Sequence, residues 1–250
     1  MNTDYTQDYL LDKKVKIFQP VNGYRASTDA VLLSAAVKEK KGAKILDIGS
    51  GTGAISLCLA QRFKDLSVKI DGLEIQKELS ELASLSAKEN NFDFLNFHNC
   101  DIKNPQTAKE FLPCSYDIVI TNPPYSDHDM PSPNSSKATA HNLNKIDLSQ
   151  WLKFCLKMSK PFGKIYIINR VEALPVICSE LNGKAGGITI LPIYSKKGQE
   201  AKRVIICAQK DSKAPCKILS PFVVHDDEGK YTPRSELILR KGKSFAELFS

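Results

Sequence analysis

Asn122, Pro123, Pro124 and Tyr125 follow directly on the run Asp117, Ile118, Val119, Ile120, Thr121. A β-branched apolar run that stops at two prolines reads as a buried parallel strand ending at a loop, because proline cannot donate to a ladder. Open α/β sheets bind ligands at the carboxyl ends of their strands, so this corner is a candidate site. The prolines keep the backbone extended and stiff. Asn122 then presents a side-chain carbonyl, Pro123 a main-chain carbonyl and Tyr125 a flat ring. Two acceptors beside a stacking face suit a planar amino group such as adenine N6, cytosine N4 or a glutamine amide. The lone pair of such a nitrogen is delocalised, and accepting its two protons localises that pair. The chemistry this corner can do is activation of an amino nitrogen by positioning and fixed dipoles, without a general base. Asn122, Pro123 and Tyr125 are the predicted catalytic residues.

A second cluster lies upstream, in Asp47, Ile48, Gly49, Ser50, Gly51, Thr52, Gly53. Gly49-x-Gly51-x-x-Ala54 satisfies the dinucleotide fingerprint, and Glu74 stands roughly 20 residues on, as a ribose-binding acid would. The glycines alone therefore leave a nicotinamide enzyme and a methyltransferase open. Asp47 tips the balance, since its carboxylate repels a pyrophosphate and attracts a cationic methionine moiety. Glu74, ending the second strand, can take two ribose hydroxyls, and Asp101, ending the third, can meet an adenine amino group. The plainer alternatives are that Asp47 caps the next helix, Glu74 is a solvated strand end and Asp101 opens a turn.

Elements that would position these groups alternate along the chain. An arm over residues 1–27 carries a strand-like piece through Phe18, then turns at Pro20 and Gly23. Ser27 or Thr28 can cap a helix with Asp29 in its first turn, ended by Gly42. Strands are predicted at 44–48, 68–73, 94–98, 116–120, 164–168, 188–191 and 204–208. Helices are predicted at about 54–63, 76–90, 107–111, 148–158 and 172–181, with Pro161 and Gly163 leading into one strand and Gly186 and Gly187 preceding another. A polar stretch from Ser126 to Lys145 is long enough to mark a functional or mobile loop. In the tail, 217–219, 222–225 and 237–239 read as short strands. The expected organisation is one domain, with the arm at 1–27, a catalytic core at 28–210 and an extension at 211–250.

Lys and Arg number 35 against 28 Asp and Glu, a formal +7 that permits a polyanionic partner without requiring one. Lys153, Lys157 and Lys160 read as one helical stripe, and Lys13, Lys14, Lys16 and Lys196, Lys197, Lys202, Arg203 cluster locally. The seven cysteines are scattered, without a Cys-x-x-Cys pair, which favours reduced thiols in a cytosol over disulfides or structural zinc. His98, His128, His141 and His225 lack ligand spacing, so no metal site is expected. The polar, acidic start predicts no signal peptide. No apolar run approaches the roughly 20 residues that span a bilayer. A cytoplasmic protein without a membrane partner, most simply a monomer, is expected.

With these residues in view, the chain resembles the class I S-adenosylmethionine-dependent methyltransferases that carry an Asn-Pro-Pro-Tyr motif. It is most similar to the bacterial tRNA1(Val) (adenine(37)-N6)-methyltransferase family. The resemblance rests on Asp47 to Gly53, Asn122 to Tyr125, the arm Gln19 to Ala30 and the tail His225 to Thr232, and the chain departs from it at Ala140, His141, Asn142. It implies a Rossmann-like α/β fold, a mixed seven-stranded sheet with helices on both faces, S-adenosylmethionine as cofactor, tRNA as partner, and N6-methylation of an anticodon-loop adenine. The implied cofactor site is Asp47, Gly49, Ser50, Gly51, Gly53, Glu74, Ile75, Asp101, Ile102 and Asn122. Tyr24, Ser27 and Asp29 would close over its methionine end. The principal rival is a glutamine N5-methyltransferase acting on a release factor; that family carries a separate helical N-terminal domain, whereas about 40 residues precede the first core strand here.

Overall fold

The computed structural model describes residues 4–23, 25–38, 40–124 and 147–249, with side chains to 247. Its centre is a nine-stranded sheet. In chain order the strands are β1 (Tyr5–Leu10), β2 (Val15–Pro20), β3 (Lys44–Ile48), β4 (Lys69–Glu74), β5 (Leu95–Asn99), β6 (Tyr116–Thr121), β7 (Ser159–Arg170), β8 (Ala185–Tyr194), β9 (Ala201–Lys210), β10 (Lys217–Ile218) and β11 (Phe222–Val223). β1 and β2 form a separate antiparallel hairpin, and the large sheet runs β10-β8-β9-β7-β6-β3-β4-β5, with β11 also on β8. Without the two-residue strands β10 and β11 the sheet has the seven strands expected, and it is mixed because β9 runs antiparallel to both β7 and β8.

Eight described α-helices accompany it: α1 (Thr28–Ala36), α2 (Ala54–Phe63), α3 (Lys77–Glu89), α4 (Pro105–Ala108), α5 (Leu148–Met158), α6 (Leu174–Leu181), α7 (Pro233–Leu239) and α8 (Phe245–Phe249). Helices on both faces leave successive strand residues apolar. Ile45, Ile118, Ile120 and Ile168 face a core shared with α1, α2 and α7, whereas Leu46, Ile48, Val119 and Ile167 face one shared with α5 and α6.

Several expectations need correcting. α1 ends at Ala36, capped at Val37, well before Gly42. The arm is a hairpin, and its first strand was not legible because its residues alternate between exposed and half-buried with mixed polarity. Pro161 and Gly163 lie inside β7 at a register shift, with Phe162 left-handed (φ 59°), and Gly186 and Gly187 lie inside β8 at another shift. Residues 237–239 are helical rather than extended. Thr232 caps α7 by accepting from Ser235 N, Pro233 opens it and Glu236 sits in its first turn, a start signal that outweighs three apolar residues in a row. Lys160 falls in β7 and pairs with Asp117 at 3.0 Å, so the lysine stripe on α5 is only Lys153 and Lys157.

Candidate functional site

Register builds the site. Ile48 pairs with Thr121 on one side and Leu73 on the other, so Gly49, Asn122 and Glu74 emerge from three adjacent parallel strand ends. Glu74 in turn pairs with Asn99, which puts Asp101 and Ile102 one strand further out.

Gly49, Gly51 and Gly53 all have positive φ, at 73°, 56° and 82°, which explains three glycines in five residues. Close approach adds to the requirement: a Cβ on Gly49 would lie 2.8 Å from the Trp151 ring, and one on Gly53 would lie 2.5 Å from Phe97. The loop's N–H groups are turned inward. Gly49 N and Ser50 N donate to Leu73 O at 2.8 and 2.9 Å, Gly53 N to Ser50 O, and Gly51 N to Glu74 Oε2 at 2.8 Å. A dinucleotide loop offers such groups to a pyrophosphate. Here they are spent within the fold.

Asp47 is the penultimate residue of β3, just before the glycine loop. It is fully buried and its Oδ2 accepts from Ser56 Oγ, in the first turn of α2, at 2.8 Å. This ties Asp47 to the side chain of Ser56, whereas the N-cap of the helix is Gly53, and Oδ1 is buried without a hydrogen-bond partner. Burial pushes the Asp47 carboxyl up to about 7, against the hydrogen bonds from Ser56 and helped by the charge of Glu74. Glu74 is 6% exposed and pinned by Gly51 N and by Gln76 N, which donates to Oε1 at 2.9 Å. Burial raises its carboxyl too, opposed by those backbone donors.

Four buried side-chain oxygens around this corner have no partner: Asp47 Oδ1, Ser50 Oγ, Thr52 Oγ1 and Asn122 Oδ1. Orphaned polar atoms are costly, and a polar ligand would relieve them. The acceptor set fits S-adenosylmethionine, whose ammonium, ribose hydroxyls and adenine amine all donate to such oxygens.

Asp101 is half-buried, with Oδ1 accepting from Lys103 N at 2.9 Å in the turn-opening manner. Ile102 packs against the core of α5, whereas Ile75 is 46% exposed. Ser27 is the N-cap of α1 without a side-chain capping bond, and Asp29 Oδ2 accepts from Arg203 Nε at 2.9 Å. Arg203 lies opposite Arg170, the last residue of β7, so the start of α1 is held at the same sheet edge as Asn122. Gln19 holds the preceding segment, its Oε1 accepting from Ala26 N and its Nε2 donating to Asp8. Tyr24, Tyr125, His128, His141 and the polar stretch lie outside the described residues.

A family model described as a methyltransferase domain matches residues 39–208. A tRNA1(Val) (adenine(37)-N6)-methyltransferase of Pedobacter heparinus is 30% identical over 197 residues, covering 78% of this chain and 81% of the relative. The chain belongs to the tRNA1(Val) (adenine(37)-N6)-methyltransferase family. A member from Dyadobacter fermentans is 27% identical over 91% of this chain and 94% of its own. Among solved structures, a predicted O-methyltransferase of Agrobacterium tumefaciens superposes with a TM-score of 0.72 at 21% identity, over 87% of this chain and 98% of the other, and shows the same fold. The protein is thus a class I S-adenosylmethionine-dependent methyltransferase.

One residue of this family member escaped the sequence. Trp151, on α5, donates its indole N–H to Thr121 Oγ1 at 2.9 Å, and Thr121 donates onward to Ile48 O at 2.8 Å. The ring against Gly49 and the hydroxyl beside Asn122 join the glycine loop to the acceptor corner. A lone tryptophan on an apolar helix face reads as core, and its partner is 30 residues away. Only its being the single tryptophan of the chain sets it apart.

Proposed function

We propose that the protein methylates N6 of an adenine in tRNA, at position 37 of the anticodon loop of tRNA1(Val). The observation that carries this is the Asn122 carbonyl oxygen, buried and unpartnered at the end of β6, one strand from the glycine loop. S-adenosylmethionine supplies an electrophilic methyl on a cationic sulfur. Asn122 Oδ1 and the Pro123 carbonyl accept the two protons of the amine and turn its lone pair out of conjugation. Tyr125 stacks on the base, which must be splayed out of its loop to be reached. Once alkylated the nitrogen is strongly acidic and loses its proton to solvent. Asp47 Oδ1 and the Glu74 carboxylate take the ammonium and ribose ends of the cofactor, Asp101 and Ile102 its adenine, and the 23–29 segment covers the methionine end. The names of the relatives support the RNA substrate. We place the enzyme in the cytosol as a single-domain monomer; among the described residues no helix is long and apolar enough to cross a membrane.

Incubation with isotopically labelled methyl donor and either total tRNA or release factors, followed by nucleoside and peptide mass spectrometry, tests the assignment. N6-methyladenosine at position 37 of tRNA1(Val) is the expected product. N5-methylglutamine in a release factor would replace it with the rival, whose amide nitrogen presents the same two protons.

A further inference from the structure

Arg203, on β9, donates its Nε to Asp29 Oδ2 in the first turn of α1 at 2.9 Å, joining residues 174 apart in the chain. We propose that Arg203 is a positioning residue for the cofactor: by holding Asp29 it sets the start of α1, and the loop before it, over the methionine end of S-adenosylmethionine. Asp29 is then an anchor of that loop and not itself a ligand of the cofactor. The proposal rests on the cofactor placement given above.

Register places the pair. Thr121 pairs with Ile167, and β7 runs three residues further to Arg170, which pairs with Arg203. At about 3.3 Å per residue, Arg203 therefore stands roughly 10 Å beyond the end of β6, past the strand ends from which Gly49 and Asn122 emerge. It shares a face of β9 with Ile205, which packs in the core of α1 and α2, so its side chain points to the side of the sheet on which the glycine loop enters α2. Asp47, assigned above to the cofactor's ammonium, bonds Ser56 in the first turn of α2, against which α1 packs. Both helices begin at this edge of the sheet. The two side chains of the pair are 27% and 14% exposed, and Arg203 Nη1 also donates to Lys202 O at 3.1 Å, so this is a held contact rather than a solvated one.

The loop that the pair serves is closed on itself. Gln19 Oε1 accepts from Ala26 N at 2.6 Å, Arg25 Nη1 donates to Pro20 O at 3.0 Å, and Asp8 Oδ2 accepts from Gln19 Nε2 and Arg25 Nη2 at 3.1 and 2.6 Å. Phe18 N donates to Ser86 Oγ of α3 at 2.9 Å, which fixes the hairpin end. At the other end Ser27, the N-cap of α1, makes no side-chain capping bond, so the start of the helix is tied through Asp29 instead. A loop closed as a unit and tied at two points shifts as a whole when one tie is cut.

Calorimetry with S-adenosylhomocysteine and 5′-methylthioadenosine tests this without RNA. The two share adenosine and a neutral thioether, and only the first carries the amino-acid end. Arg203→Gln and Asp29→Asn should each weaken S-adenosylhomocysteine about tenfold and the double variant no further, while 5′-methylthioadenosine binds as it does to wild type. Retained binding of the smaller ligand shows that each variant is folded, and thermal melting checks it independently. Arg203→Lys should recover most of the affinity, since an ammonium keeps the charge at the same carboxylate. In methylation assays the loss should appear in the Michaelis constant for S-adenosylmethionine, with turnover at saturating cofactor within about twofold of wild type. Loss from Asp29→Asn alone would make Asp29 a direct ligand, and loss from Arg203→Gln alone would make Arg203 one. Equal loss of both ligands would make the pair a general staple, and no loss, or losses that multiply in the double variant, would leave it without the role. Each of these overturns the proposal and leaves the cofactor placement standing. Wild type binding the two ligands equally well would remove the methionine placement and the proposal with it.

Discussion

Asn122 and Asp47 each leave one buried oxygen without a partner, but they do so for different purposes. In the proposed mechanism, Asn122→Ala removes an acceptor for the methyl-accepting nitrogen. Turnover should drop by about 10²–10³, the usual loss for one preorganised dipole, while calorimetry finds S-adenosylmethionine affinity near wild type. Unchanged turnover would remove Asn122 from the chemistry. For Asp47 the lever is pH. Its carboxyl is raised to about 7 in the fold from 3.8. The native state therefore holds a proton that the unfolded chain releases, and the stability this contributes is full below 3.8 and lost as pH rises through about 7. Asp47→Asn cannot ionise. In urea melts at pH 5 and pH 8 the variant should gain on wild type by a few kcal/mol at the higher pH. Wild-type affinity for the cationic cofactor should rise over the same window, and that of the variant should stay flat. An equal stability gap at both pH values would mean that the carboxylate is charged throughout.

Among elements, α5 couples the two halves of the site. Trp151→Phe keeps an apolar ring but drops the N–H, and Thr121→Val removes the hydroxyl that links Trp151 to Ile48 O. Each should cost about 1–3 kcal/mol of stability. Per folded molecule, each should also raise the constant for S-adenosylmethionine and lower turnover, because Gly49 rests on the ring and Asn122 follows the hydroxyl. In a double-mutant cycle the losses should be non-additive by about 0.5–3 kcal/mol, whereas independent packing defects would simply add. α5 was legible from the sequence to the residue (Leu148–Met158), as were β3 and α2, because apolar periodicity and the glycine loop fix their ends. The Trp151–Thr121 link was not, since periodicity tells which face is buried and not which atom it meets. The same limit applies to the inward N–H groups of the glycine loop: the spacing allowed either cofactor, and the direction of those bonds depends on Leu73 and Glu74 in a neighbouring strand. α7 was misread because three apolar residues in a row fit both periods, and only the start signal of Thr232, Pro233 and Glu236 separates them.

At the scale of the molecule, the tail decides whether the enzyme is one cooperative unit. The family model stops at residue 208, and the sequence suggested an extension beyond 210. In the structure β10 and β11 add to β8, and Phe222, Val224, Ile238, Leu239 and Phe245 enter the same core as α1 and α2, with Phe222 and Phe245 edge to face at 4.9 Å. Burying five such side chains contributes roughly 10 kcal/mol at about 2 each. That is comparable to the whole net stability of an ordinary domain, about 5–15 kcal/mol. A chain ending at Lys210 should therefore fail to fold, giving no cooperative melt by circular dichroism and no S-adenosylmethionine binding. The milder Phe222→Ala should lose about 3–5 kcal/mol in the full chain and still unfold in a single transition seen alike by fluorescence and far-UV signal. Because Phe222 packs on the face of the sheet opposite Trp151, fluorescence from that lone tryptophan reports on a distant part of the core. Two separated transitions, or a truncated chain that melts cooperatively near the full-length temperature, would make the tail an appendage rather than a part of the catalytic domain.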